Sequence, residues 1–220
     1  MLFNLPQKLQ SLKMVAAVSN YLENPDLDNV YAVGASLQGS EMSRQMGRHL
    51  MDNSRFRALV EENWRPPAVQ LNDLLAMPTG SLGQVYADQL SAQGLDPEST
   101  IDHSEITSPS SYIKHRMRET HDIIHVLTGF GVDAAGEMGV LAFGLAQNRH
   151  PLAVLLILGT LLKALQEDVD LAPILKAISK GFKIGLSAQT AVAFKLEDAW
   201  QRPIEDWREE IGLPRNPQSI

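Results

Sequence analysis

Apolar residues recur at helical spacing along almost the whole chain, and that regularity decides the fold class. Leu5, Leu9, Leu12 and Val15 follow a period near 3.6 until Pro25 ends the run. DLDNVYAVGASLQG opens with two candidate caps, Asp26 and Asp28, and SEMSRQMGRHLMDN sets Met42, Met46 and His49 or Leu50 on one face. SRFRALVEENW stops at Pro66-Pro67, and two short helices flank a turn at Pro78-Thr79-Gly80. Residues 94–110 are polar and rich in turn formers, and form the one long loop. Ser108-Pro109 then caps a helix that runs to the glycines at 129 and 131, and Asp133 caps the next. Pro151, Pro173 and Pro203 open further helices, with AVAFKLEDAW as another between the last two. Strand-like alternation is confined to short stretches such as VYAV. The prediction is an all-α fold of about ten helices, one domain over residues 1–220.

Composition narrows the function. There is no cysteine among the 220 residues, which removes disulfide scaffolds, thiol catalysis and thiolate-held metals. A net charge of −7 argues against a broad nucleic-acid surface. The most apolar run, Leu152 to Leu162, is about half of the roughly 20 residues a membrane span requires. The first residues carry Lys8 and Lys13 without an arginine or a small-residue cleavage site, and are read as a first helix and not as a targeting peptide. GxxxxGK[ST], HExxH and GxSxG are all absent.

HDIIHVLTGFGVDAAGE, residues 121–137, concentrates the chemistry. Residues four apart on a helix stand one above the other, so His121 and His125 project from one face. Asp122 lies about 100° around from His121 and about 60° from His125. It is placed either to ligate a metal or to orient a ligand imidazole. The glycines let the chain reverse, so Glu137, in the first turn of the next helix, comes back beside His125. Two imidazoles and two carboxylates suit a divalent metal, zinc first, with iron, manganese or magnesium as alternatives. An open coordination position would make such a site catalytic, a closed one structural. The bland alternative is one core histidine, one surface histidine and two capping or surface acids. HD dyads also mark helical metal phosphohydrolases, but no second dyad is present beside His49, His103 and His115.

The longer pattern, His121-Asp122-x-x-His125 followed by eleven residues and Glu137, resembles the signature of the coenzyme Q biosynthesis protein 4 family. MPTGSLGQVYADQL, with Tyr86, is similar to another of its segments. Arg116 and Arg118 sit where the family carries arginines, and EDAWQRPIEDWREEIGLP resembles its closing region. The likeness spans about residues 77–214. One departure is Gln89, where the family usually has an aromatic residue three positions after the tyrosine.

This resemblance implies an all-helical peripheral protein of ubiquinone or prenylquinone biosynthesis. His121, Asp122, His125 and Glu137 become the metal and catalytic residues, and Arg116, Arg118 and Tyr86 become candidates for binding the substrate. The implied ligand is a polyprenylated quinone precursor or isoprenoid lipid. The implied reaction is oxidative decarboxylation at ring carbon 1, and the alternative is a non-catalytic scaffold or lipid chaperone. Implied partners are other quinone-biosynthesis enzymes, a second copy in a homodimer, and a membrane surface. That surface is the cytoplasmic side of a bacterial inner membrane or the matrix face in a mitochondrion. Val140–Leu145 and Leu152–Leu162 read as core or as the wall of a prenyl channel, with Met42, Met46, Met51 and Met77 as adaptable lining. The first helix, with Leu2, Phe3, Leu5 and its lysines, is the favoured membrane contact.

Overall fold

A computed structural model describes residues 5–101 and 103–215. Leu2 and Phe3 lie outside the described residues. Thirteen α-helices follow in order: α1 Leu5–Glu23, α2 Leu27–Ser36, α3 Glu41–Asp52, α4 Ser54–Glu61, α5 Leu71–Leu75, α6 Leu82–Ala92, α7 Pro97–Thr100, α8 Pro109–Glu119, α9 His121–Thr128, α10 Ala134–Asn148, α11 Pro151–Gln166, α12 Ala172–Ser187 and α13 Ile204–Ile211. The described residues hold no strand, so the fold is all-α and one domain.

Of the expected caps, Asp26, Ser108 and Asp133 each accept a hydrogen bond from a backbone N–H of the following turn, while Asp28 lies inside the first turn of α2; Ser40 and Ser81 cap α3 and α6 in the same way. The helix count exceeds the expected number because short pieces form inside predicted connections. One is four-residue α7 within the 94–110 loop, capped by Asp96.

AVAFKLEDAW departs from expectation. It forms two 3₁₀ turns, Ala191–Ala193 and Leu196–Ala199, and not an α-helix. The cause is competition for its backbone. Arg116 draws the carbonyls of Val192 (3.1 Å) and Phe194 (2.6 Å), while Gln147 Oε1 takes the N–H of Ala191 (3.0 Å). Those groups are therefore not available to an α-helical ladder.

The main core joins α4, α6, α8, α9 and α13 with the 191–200 segment through Phe56, Leu82, Leu90, Ile123, Leu127 and Leu196. A smaller cluster packs α1 and α2 on α11 through Tyr21, Val33 and Leu156, and another joins α10, α11 and α12 through Met138, Ala164 and Ile174. Helices α10 and α12 meet backbone to backbone. A Cβ at Gly181 would strike the carbonyl of Gly139, and one at Gly185 would stand 2.7 Å from the carbonyl oxygen of Phe143.

Candidate metal centre

Helices α8 and α9 are nearly continuous. They are divided at Thr120, whose hydroxyl donates to the carbonyl of Arg116 at 2.6 Å. Gly129 ends α9 in the left-handed region (φ 69°), and its N–H closes on the carbonyl of His125 at 2.8 Å. Asp133 then caps α10 by accepting from Gly136 N at 2.7 Å. Gly136 lies so close to the Gly131 carbonyl that no Cβ would fit. This tight reversal brings the first turn of α10 beside α9. Arg208 of α13 holds α9 from below, donating to the carbonyls of Leu127 (2.9 Å) and Val126 (3.0 Å). Those are among the carbonyls a helix leaves without partners at its C-terminus.

Three predicted side chains converge. His121 Nε2 lies 3.2 Å from His125 Nε2 and 3.3 Å from Glu137 Oε2, and His125 Nε2 lies 3.3 Å from Glu137 Oε1. His125 is buried, while the side chains of His121 and Glu137 are 38% and 36% exposed, so the cluster is reachable from solvent. The carbonyls of Phe130 (3.3 Å) and Gly131 (3.1 Å) face His125 Nδ1. Carbonyls only accept, so Nδ1 carries a proton, and Nε2 is the nitrogen turned to the cluster. That is the orientation a metal ligand needs, fixed by an outer partner. Two donors on a tetrahedral zinc ion, at bond lengths of about 2.0–2.1 Å, stand about 3.3 Å apart. Glu137 meets the two imidazoles through different oxygens, and with one donor atom from each residue the three gather within 4.8 Å of one another, a grouping that could hold such an ion with a fourth position left over.

The electrostatics agree. Burial pushes the Glu137 carboxyl up, but hydrogen bonds and charge from His121 and His125 outweigh it and hold the group at about 2. Burial pushes His121 down, and the Glu137 hydrogen bond with the charges of Glu137 and Asp122 overcomes it, so its pKa is raised. His150, at the N-cap of α11, is kept neutral by burial and by the charge of His121, with its pKa lowered to about 4.

Asp122 is not one of the three converging groups. Its position around α9 points it between His121 and Tyr86, both of which feel its charge. Tyr86 is buried, stacked on Trp200 with ring centroids 5.1 Å apart, and its hydroxyl lies 3.4 Å from Thr100 Oγ1. Gln89 on the same helix leaves its Nε2 buried and without a hydrogen-bond partner. Arg116 is also buried. Its guanidinium grips Glu197 (2.5 and 3.1 Å) and the carbonyls of Val192 and Phe194, so its donors face inward and away from the cluster. Arg118 instead lies half-buried over the Tyr31 ring, 5.3 Å from its centroid. Two open cavities of about 430 and 320 Å³ flank Arg55 and Phe194 and contain none of these residues.

Sequence reading missed Arg208 and Glu197. Their signal was present, an arginine and an acid inside the apolar pattern of the closing region, but their partners lie 80 or so positions away.

Comparison with known proteins follows the same lines. The profile of the coenzyme Q (ubiquinone) biosynthesis protein Coq4 family matches residues 3–217. The mitochondrial ubiquinone biosynthesis protein COQ4 of Coprinopsis cinerea is 26% identical over 87% of this chain, which spans 66% of that protein's length. The mitochondrial COQ4 homologue of Rattus norvegicus is 25% identical over 96% of this chain and 81% of its own. A solved protein of Nostoc punctiforme PCC 73102, provisionally named a ubiquinone biosynthesis protein, superposes with a TM-score of 0.83 at 28% identity, covering 92% of this chain and 97% of that one. An all-helical fold over the full described length, together with a profile match across nearly every residue, places this chain in the Coq4 family of ubiquinone biosynthesis proteins.

Proposed function

We propose that the protein binds a divalent metal, zinc first among candidates, through His121, His125 and Glu137, and acts on ring carbon 1 of a polyprenylated quinone precursor. The observation that carries this reading is the convergence of His121, His125 and Glu137, with contacts of 3.2–3.3 Å between their polar atoms and His125 Nε2 held toward the other two. Asp122 is the nearby acid that would complete or tune the set. A bound metal would supply Lewis acidity toward a ring hydroxyl or carboxylate. The chain's own residues supply the rest. His125 is held immobile by the Phe130 and Gly131 carbonyls. His121 is the more exposed of the two imidazoles, and its raised pKa belongs to the metal-free centre. Replacing a carboxyl by a hydroxyl group is an oxidation, so that version of the reaction takes an oxidant as co-substrate.

Association with a membrane surface and with a prenyl chain belongs to the same proposal. Among the described residues no helix is long and apolar enough to cross a membrane. Yet α11 exposes Val154, Leu158, Leu162 and Leu165 along one face, and α12 exposes Leu175, Phe182 and Leu186 beside Lys176, Lys180 and Lys183. An exposed apolar row edged by lysines suits the headgroup boundary of a bilayer. The acids Glu167, Asp168 and Asp170 are confined to the turn at one end. Helix α1, the contact expected from sequence, also exposes Leu9, Leu12 and Val15 at helical spacing and is the second candidate face. A homodimer and contacts with other quinone-biosynthesis enzymes complete the proposal.

The test is complementation of a strain lacking its own homologue, with C1-carboxylated prenyl-ring intermediates measured. Wild type is expected to clear them and Glu137→Ala to accumulate them. Equal quinone restoration by both would assign the centre a structural role and leave the scaffold as the better reading.

A further inference from the structure

The two arginines ahead of the histidines have different surroundings. Arg116 spends its donors on Glu197 and two carbonyls inside the core. The Arg118 guanidinium has no hydrogen bond or ion pair with any described residue, and it lies over the Tyr31 ring. Because α8 runs almost unbroken into α9, Arg118 shares a face with His121, Asp122 and His125, about one turn before the first histidine.

Helix α10 lies antiparallel to this face, and two contacts set its register. Glu137 meets His121 and His125 at one end, and Asn148 Nδ2 stands 3.7 Å from Met117 Sδ at the other. Residues 137, 141, 144 and 148 fall on one side of α10, which brings Gly144 level with Arg118. A Cβ on Gly144 would meet nothing within 4 Å, in contrast to Gly136, Gly139, Gly181 and Gly185, where it would collide. That side of α10 therefore has open space at Gly144, whereas side chains meet it at the metal triad. Asn148 Oδ1 is buried there without a partner, and His150 lies near enough for the charge of His121 to act on it.

We propose that Arg118, across the open gap at Gly144, binds the carboxylate of an aromatic acid whose ring then reaches toward His121, His125 and Glu137. A guanidinium is always charged and presents parallel donors that match a carboxylate, and half-burial strengthens the pair. Asp122, four residues on, is the opposing charge on this face. It is not within ion-pair distance of Arg118. The inference rests on the metal-centre reading and specifies how the substrate is oriented.

The test measures binding of 3-farnesyl-4-hydroxybenzoate and of 2-farnesylphenol to the full chain by equilibrium dialysis in detergent, with metal content measured in the same samples. Wild type is expected to prefer the acid by about tenfold or more. Arg118→Gln should lose that preference while its affinity for the phenol and its metal content stay unchanged. Arg118→Lys should recover part of the preference, and Gly144→Leu should weaken both ligands with metal retained. An undiminished preference in Arg118→Gln, or no preference in wild type, overturns the subsite. Displacement of the acid by phosphatidic acid vesicles at equal affinity, dependent on Arg118, would overturn it in favour of a phospholipid headgroup. The two readings separate cleanly. Metal present with an Arg118-independent preference sinks the subsite alone, whereas an Arg118-dependent preference in protein that takes up no metal sinks the metal centre alone.

Discussion

Glu137 and His121 form a couple whose contribution depends on pH in a definite direction. In metal-free protein Glu137 sits at about 2 against an ordinary 4.5, so its stabilisation is complete above about 4.5 and fades as pH falls toward 2. His121 is raised above 6.5, so its share is complete below 6.5 and fades as pH rises through the raised value. The melting-temperature difference between wild type and Glu137→Gln should therefore peak between about pH 4.5 and 6.5 and shrink on either side. A difference that is flat with pH would remove the coupling. The effect will be modest, since both side chains are over a third exposed and water screens them. Arg116 is the opposite case. Its pair with Glu197 is buried, so Arg116→Met leaves a carboxylate without its partner and should cost about 3–5 kcal/mol in urea unfolding. The histidines and Glu137 were legible in sequence because helical spacing and a glycine reversal fix their neighbours locally. The fate of Arg116 was not, because Glu197 lies 81 residues away and no local rule couples them.

At the scale of elements, the helix that carries the histidines is short and apolar, and others hold it in place. Its reversal depends on Gly136 resting on the Gly131 carbonyl, and α10 is pressed against α12 at Gly139 and Gly181. Gly181→Ala forces two backbones apart and is expected to destabilise by about 1–3 kcal/mol in chemical denaturation, with Glu137 displaced and metal affinity lowered. Gly144→Ala, in open space, should be neutral or mildly stabilising in the same assay, because alanine favours the helix. Equal losses at both positions would contradict the packing described. Caps and prolines made most helix boundaries readable in advance. The 191–199 segment was not readable, since its α-helical pattern is local and the groups that unwind it, Arg116 and Gln147, arrive from elsewhere in the chain.

At the scale of the molecule, the exposed rows on α11 and α12 should govern attachment to lipid. Phe182→Ser combined with Leu186→Ser is expected to reduce sedimentation with anionic vesicles several-fold while leaving the helical circular dichroism unchanged, and unaltered sedimentation would assign attachment to another face. The all-α class and the family were legible in the sequence, while which apolar faces stay exposed was not, because a helix pattern alone does not say which apolar side its neighbours cover. Arg208 carries a further consequence. It closes the carbonyl end of α9 from a helix some 80 residues further along, so α9 gains this clasp only after residue 208 has been made. During synthesis on a ribosome, α8 to α10 emerge early but lack this clasp until α13 follows. A chain cut short before residue 208 would leave the carbonyl end of α9 without it.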